Sequence, residues 1–131
     1  MLTRRKLLNC NVEIDNEQTA QWYTQAEDWG CDCGDCLHFL EIARRGLLPS
    51  SIKKLLEELQ IPPTKATYVC LLDGKQLYQF SYRIAGNILS VESEWEENGR
   101  CCHEWYPYGA PDFPAPHFDA EFYVELPIIT D

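Results

Sequence analysis

The chain places three thiols within six residues, at Cys31, Cys33 and Cys36. As a thiolate, cysteine binds soft metal ions such as zinc and attacks disulfides. These cysteines open a predicted helix, and the positive N-terminal end of a helix lowers the pKa of nearby thiols. The spacing therefore indicates a metal site, a redox pair or three structural thiols.

A zinc site needs four ligands, usually arranged as a tetrahedron. Three of them are local, and we place His103 first as the fourth. The other candidates for this position are His38, Cys10, Cys101 and Cys102. Because no second C-x-x-C pair follows, the pattern is not that of a zinc ribbon. The predicted cofactor is zinc.

The redox interpretation rests on Cys33-Gly34-Asp35-Cys36, which resembles the thioredoxin C-G-P-C motif. Asp35 stands where that motif has proline, and no clear strand leads directly into the segment. The structural interpretation is that Cys36 belongs to the apolar stripe of the helix, since free cysteine behaves as a small buried hydrophobe.

Length and charge exclude several classes of protein. The 131 residues suit a single domain, predicted over 1–131, and 21 acidic against 11 basic side chains give a net charge of −10. This charge argues against a nucleic-acid partner, which requires clustered Lys and Arg. It favours a basic protein surface as the partner instead.

No apolar run approaches the 18 residues of a membrane span, so no membrane partner is predicted. The N-terminus begins with the positive residues of a signal peptide, but Asn9, Asn11 and Glu13 interrupt any apolar stretch. We therefore expect a cytoplasmic protein with reduced thiols.

The apolar spacing predicts an α+β fold. Leu8–Asp15 alternates as a half-buried strand, with Cys10 on the core side. Two amphipathic helices follow, the first with an apolar stripe from Cys36 to Leu47 and the second from Pro49 to Leu59. A tight turn at Gly46–Pro49 joins them, with Gly46 at a left-handed position. Asp32 or Asp35 is expected to cap the first of them.

The second half of the chain predicts consecutive hairpins. The turns are placed at Asp73-Gly74, Gly86-Asn87 and Asn98-Gly99, and the return strand at Arg100–Tyr106. We expect an antiparallel meander of five to six strands, with the helix pair packed on one face. Cys70 is expected in the core.

The Asn98-Gly99 turn predicts a register in which Trp95 meets Cys102. Cys102 would then share the buried face with Trp95, Val91 and Leu89. Cys101 and His103 would share the opposite, polar face, although a slip of one residue would exchange the two faces.

Acidic residues occupy alternate positions of two predicted strands, and they would attract a basic partner if they formed one exposed patch. They are Glu92, Glu94, Glu96, Asp119, Glu121 and Glu125.

The W-G-C-D-C-G-D-C-L-H-F segment resembles an element of a family of small, uncharacterised bacterial proteins. Members carry a C-x-C-x-x-C-x-x-F pattern, then a helix like that from Leu48 to Leu59 and an acidic ending like Phe122–Pro127. The resemblance covers most of the chain. It implies one domain and no particular activity.

Enzyme motifs for phosphate, dinucleotide, serine-hydrolase and zinc-protease chemistry are absent from the sequence. We therefore expect a non-enzymatic binding module with a structural zinc at Cys31, Cys33 and Cys36. One alternative is an acidic inhibitor or immunity-like protein that binds a basic partner. The other is a thiol-disulfide oxidoreductase that uses Cys33 and Cys36.

Overall fold

The structure, a computed structural model, describes residues 2–74, 76–103 and 109–129. Its helices fall together between two groups of strands, as an α+β fold requires. In chain order they are β1 Leu2–Leu7, β2 Cys10–Asp15, α1 Asn16–Gln25, α2 Gly34–Arg44, α3 Ser50–Glu58, β3 Tyr68–Leu71, β4 Leu77–Val91, β5 Gly99–Cys102 and β6 His117–Glu125. The predicted strand Arg100–Tyr106 lies outside the described residues beyond His103.

The six strands pair antiparallel in the order β1-β2-β4-β6-β5, and β3 pairs with the first half of β4. This confirms the antiparallel sheet and the α+β class. The order departs from a simple meander at β5, because β6 lies between β4 and β5. β1, which was not predicted from the sequence, pairs with β2 along its whole length.

The turn predicted at Gly86-Asn87 is wrong, because β4 continues through both residues to Val91. Gly86 has φ of 145°, and a Cβ at this position would overlap the carbonyl oxygen of Glu13 on β2. Glycine is therefore required there for the close approach of two strands, not for a chain reversal.

The end of α2 follows local sequence signals. Gly46 has φ of 71°, and the amides of Gly46 and Leu47 donate to the carbonyls of Ala43 and Ile42. This is a Schellman ending, as the glycine predicted. The predicted aspartate cap at the other end is wrong. Cys33 holds the N-cap position, and no side chain caps this end by a hydrogen bond.

Aromatic side chains of β4 hold the start of α2 against the sheet. Phe39 packs on Phe80 with ring centroids 5.0 Å apart. The Tyr78 hydroxyl donates to the carbonyl of Asp35 at 3.0 Å. These contacts fix the first turn of α2, which carries Cys36, relative to the core.

Buried side chains from both sheet and helices form one apolar cluster. Cys10 is fully buried in it, as predicted, whereas Cys70 is only half-buried. No helix within the described ranges is long and apolar enough to cross a membrane.

Candidate metal centre

Cys31 and Cys33 lie on the connection between α1 and α2, and Cys36 lies in the first turn of α2. This connection is tied down at Trp29, whose amide donates to the carbonyl of Thr64 at 3.0 Å. The Thr64 hydroxyl in turn donates to Asp28 at 2.7 Å. Cys33 then starts α2, and the helical turn brings Cys36 back toward it.

The sulfur atoms of Cys31, Cys33 and Cys36, which we call the thiol cluster, all lie within 4.8 Å of one another. The Cys31 and Cys33 sulfurs are 3.4 Å apart. Sulfurs that bind one zinc tetrahedrally at about 2.3 Å are about 3.8 Å apart. Because one sulfur–sulfur separation is 3.4 Å and none exceeds 4.8 Å, the cluster fits one tetrahedral metal with small side-chain adjustments.

The cluster is open on one side and closed on the other. Cys31 and Cys33 are exposed, while Cys36 is only 5% exposed. A hydrogen bond from the backbone of Cys36, helped by the side chains of Cys31 and Cys36, lowers the pKa of Cys33. Burial raises the pKa of Cys36 to about 12. A metal cation would offset this cost by binding the Cys36 thiolate directly.

Trp29 supports the buried thiol. Its indole nitrogen donates to the Cys36 sulfur at 3.1 Å, and its ring packs edge-on against Tyr68. A donor aimed at a ligand sulfur orients it and stabilises its negative charge, as hydrogen bonds around metal sites commonly do. Sequence patterns of ligand residues do not identify such a supporting residue.

The structure places the candidate fourth ligands elsewhere among the described residues. His103 is exposed after β5, near enough to His117 and Asp119 to influence the pKa of both. His38 bonds through its Nε2 to the carbonyl of Pro127 at 3.0 Å. Within the described chain, the group brought together consists of the three cysteines, and His103 as fourth ligand stays a prediction.

The predicted faces of Cys101 and Cys102 are exchanged in the structure. Cys101 is buried opposite Ala120 of β6, and Cys102 is half-buried opposite Asp119. The turn closes through a Glu96–Gly99 bridge, not around Asn98-Gly99. Pairing with β6, and not with the preceding strand, therefore decides which cysteine enters the core.

Cys10 meets Cys101 in the core. The Cys10 sulfur and the Cys101 amide both donate to the side-chain oxygen of Asn9, at 3.2 and 2.8 Å. Burial raises the pKa of both thiols. These two cysteines are core residues and lie outside the thiol cluster.

The predicted buried apolar row is also wrong. Leu89, Val91 and Trp95 are 46%, 65% and 41% exposed, respectively. This end of β4 and the segment after it extend past the core, so alternation along the strand no longer separates an inner from an outer face.

The acidic side chains do not form one exposed patch. Glu92, Glu94, Glu96 and Glu125 are exposed, but Asp119 and Glu121 are each only 1% exposed. Asp119 binds Arg83 at 3.0 Å, and Glu121 binds Arg100 at 3.1 Å. Two of the predicted patch residues therefore neutralise arginines of neighbouring strands.

A cleft of about 880 Å³ adjoins the thiol cluster at Cys31. Its walls include Trp22, Trp29 and Pro111, and we call it the tryptophan cleft. Sequence patterns do not predict it, since its walls come from separate parts of the chain, namely α1, the cysteine loop and residues 109–112. No protein-family model matches the sequence, and no curated protein or solved structure matches it either.

Proposed function

We propose that the protein binds one zinc ion through Cys31, Cys33 and Cys36 and acts as a non-enzymatic binding module. The observation that carries the proposal is the convergence of three sulfur atoms within 4.8 Å. Thiolates that share one tetrahedral metal ion must lie this close together, and the three sulfurs already do so.

Zinc suits this donor set because soft thiolates select zinc, copper(I) or iron–sulfur centres over magnesium and calcium. Three thiolates leave one tetrahedral position for water or another donor. The metal would join the loop of Cys31 to the first turn of α2, and would thereby order a connection with few apolar contacts of its own. We propose a structural role on this ground.

The test is the metal content of the full chain purified without oxygen and without chelator. We expect about one zinc per chain, and a thermal midpoint that falls when a chelator is added and recovers with zinc. Cobalt substitution should produce the thiolate-to-cobalt charge-transfer band of a site with several sulfur ligands. A zinc content near zero with an unchanged midpoint would overturn the proposal.

Matched variants locate the ligands. Cys33→Ser should lose zinc, whereas Cys70→Ser, at a half-buried cysteine of β3, should retain it. His103→Ala tests the fourth ligand predicted from the sequence. Zinc retained at full affinity in that variant would remove His103 from the site and leave the three-thiolate proposal intact.

A second candidate is the thiol-disulfide oxidoreductase. It is favoured by the lowered pKa of the exposed Cys33 and by the proximity of Cys36. Oxidation by a small disulfide should then give a reversible Cys33–Cys36 bond in the intact protein. Peptide mapping that finds both thiols free after this treatment would exclude the reaction.

The third candidate is an acidic protein that binds a basic partner. The exposed residues Glu92, Glu94 and Glu96 support it, and Asp119 and Glu121 do not contribute because they are buried. A partner captured at low salt should be lost when the three exposed glutamates are changed to lysine. Capture that survives this reversal would rule out the surface.

A further inference from the structure

The tryptophan cleft has the size of a small-ligand site. Its volume of about 880 Å³ falls within the usual range for ligand pockets, roughly 300–1,000 Å³. It is bounded by the end of α1, the cysteine loop and residues 109–112. These walls come from distant parts of the chain, so the concavity is a product of the tertiary fold.

Two aromatic walls of the cleft are held in place. The indole nitrogen of Trp22 donates to the carbonyl of Pro111 at 3.1 Å, and its ring packs against Phe113 at 4.8 Å. Trp29 is fixed by its bond to the Cys36 sulfur. Both indole N–H groups are thus already satisfied, and the rings offer π surface and apolar contact to a ligand.

The charged residues described in the lining of the cleft are all acidic. Glu27, Asp28 and Asp112 line it, and no lysine, arginine or histidine does so among its described lining residues. Lys65 is not among the residues that line the cleft. Its ammonium group donates a hydrogen bond to the carbonyl of Tyr23 at 2.7 Å. A cation that enters therefore meets carboxylates and aromatic rings without a competing positive side chain.

We propose that the tryptophan cleft binds an organic cation, an ammonium or guanidinium group on an apolar stem. Tryptophan is the strongest aromatic partner for such cations, and the carboxylates supply the opposite charge. The same chemistry is found in free alkylamines and in the lysine or arginine side chain of a protein segment. The inference does not rest on the zinc proposal, because the carboxylates and indole rings that would contact the cation are not among the proposed metal ligands.

The experiment compares two probes of the same shape, n-butylguanidine and the neutral n-butylurea. Binding is followed in the full chain through the indole N–H resonances of Trp22 and Trp29, both as purified and after chelator treatment. We expect butylguanidine to shift both resonances saturably in either state, and butylurea to leave them unchanged. A zinc-free protein that still binds the probe separates this proposal from the metal proposal.

Two double variants test the charge. Glu27→Gln with Asp112→Asn should weaken butylguanidine binding about tenfold, as expected for losing two exposed ion pairs. Glu94→Gln with Glu96→Gln changes the net charge equally at a distance from the cleft, and should leave the affinity unchanged. Equal weakening in both pairs would indicate general attraction to an acidic protein and would overturn the site.

A final arm distinguishes the sources of the cation. The probe is a short Gly-Arg-Gly-Arg-Gly peptide compared with butylguanidine at the same salt concentration. Tighter binding of the peptide at the same indole resonances would identify a protein segment as the ligand, and equal or weaker binding would identify a free amine. Binding of butylurea as strong as that of butylguanidine would overturn the proposal for both sources.

Discussion

The indole N–H of Trp29 donates a hydrogen bond to the sulfur of Cys36 at 3.1 Å. The donor is aimed at the most buried member of the thiol cluster, where negative charge is most costly. Trp29 also lines the tryptophan cleft, so one side chain joins the candidate metal site to the candidate ligand site.

Replacing Trp29 with phenylalanine should weaken zinc binding at least about tenfold, because removal of a supporting hydrogen bond typically costs 10- to 100-fold in metal affinity. The measurement is competition with a chromophoric zinc chelator. Trp95→Phe is the control, since Trp95 is 41% exposed and packs on Tyr123, away from the cluster. Unchanged affinity in Trp29→Phe would show that the bond does not support the site.

In metal-free protein, Cys33 should be alkylated at lower pH than an ordinary thiol, and Cys36 should resist alkylation. The Cys33 pKa is lowered by hydrogen bonds, while burial raises that of Cys36 to about 12. A thiol titrating near 12 has about a thousandfold less thiolate at neutral pH than one at 9. Iodoacetamide rates against pH, resolved by peptide mass spectrometry, give both values. Equal rates at the two sites would contradict the difference in burial.

Changing Arg83 to methionine should destabilise the fold by about 3–5 kcal/mol, because it leaves the Asp119 carboxylate buried without its cation. Arg44→Met breaks an exposed pair with Glu41 and should cost less than about 1 kcal/mol. Urea unfolding measures both. A cost for Arg83→Met no larger than that for Arg44→Met would contradict the buried pair.

The Arg83→Met deficit should depend on pH. Burial already raises the pKa of Asp119, and Arg83 opposes the rise. Without Arg83 the folded-state pKa moves further above the unfolded value of about 3.9. The folded variant then binds a proton more readily than the unfolded chain, so its deficit should shrink as the pH falls through that folded-state pKa. A deficit that grows on acidification would contradict this sign.

Gly86→Ala should destabilise the protein by about 1–3 kcal/mol or more, because φ is 145° and the added Cβ overlaps the backbone of Glu13. Gly74→Ala is the matched control, since nothing lies within 4 Å of a Cβ there. Urea midpoints of the two variants provide the comparison. Equal midpoints would mean that the two strands can separate at Gly86 without cost.

Local features of the fold could be predicted from neighbouring residues. Gly46 ends α2 as its position after the apolar stripe predicts, because helix termination depends on groups within one turn. The thiol cluster is equally local. Cys31, Cys33 and Cys36 are so close in the chain that one loop and one helical turn bring their sulfurs together.

Features that depend on strand partners could not be predicted in the same way. Cys101 is buried, and Cys102 is not, because β5 pairs with β6 and not with the strand before it. Asp119 and Glu121 fit an exposed row in sequence, yet the adjacent strands place arginines beside them. The alternation of side chains along a strand separates its two faces, but it does not determine which face other elements bury.

The sequence alone determined the three thiols, the C-terminal end of the helix that carries one of them, and the α+β class, because each depends on residues close in the chain. Tertiary structure alone decided the tryptophan cleft and the burial of Asp119. Side chains remote in sequence meet only after the strand order is set, and that order is governed by the packing of the whole core.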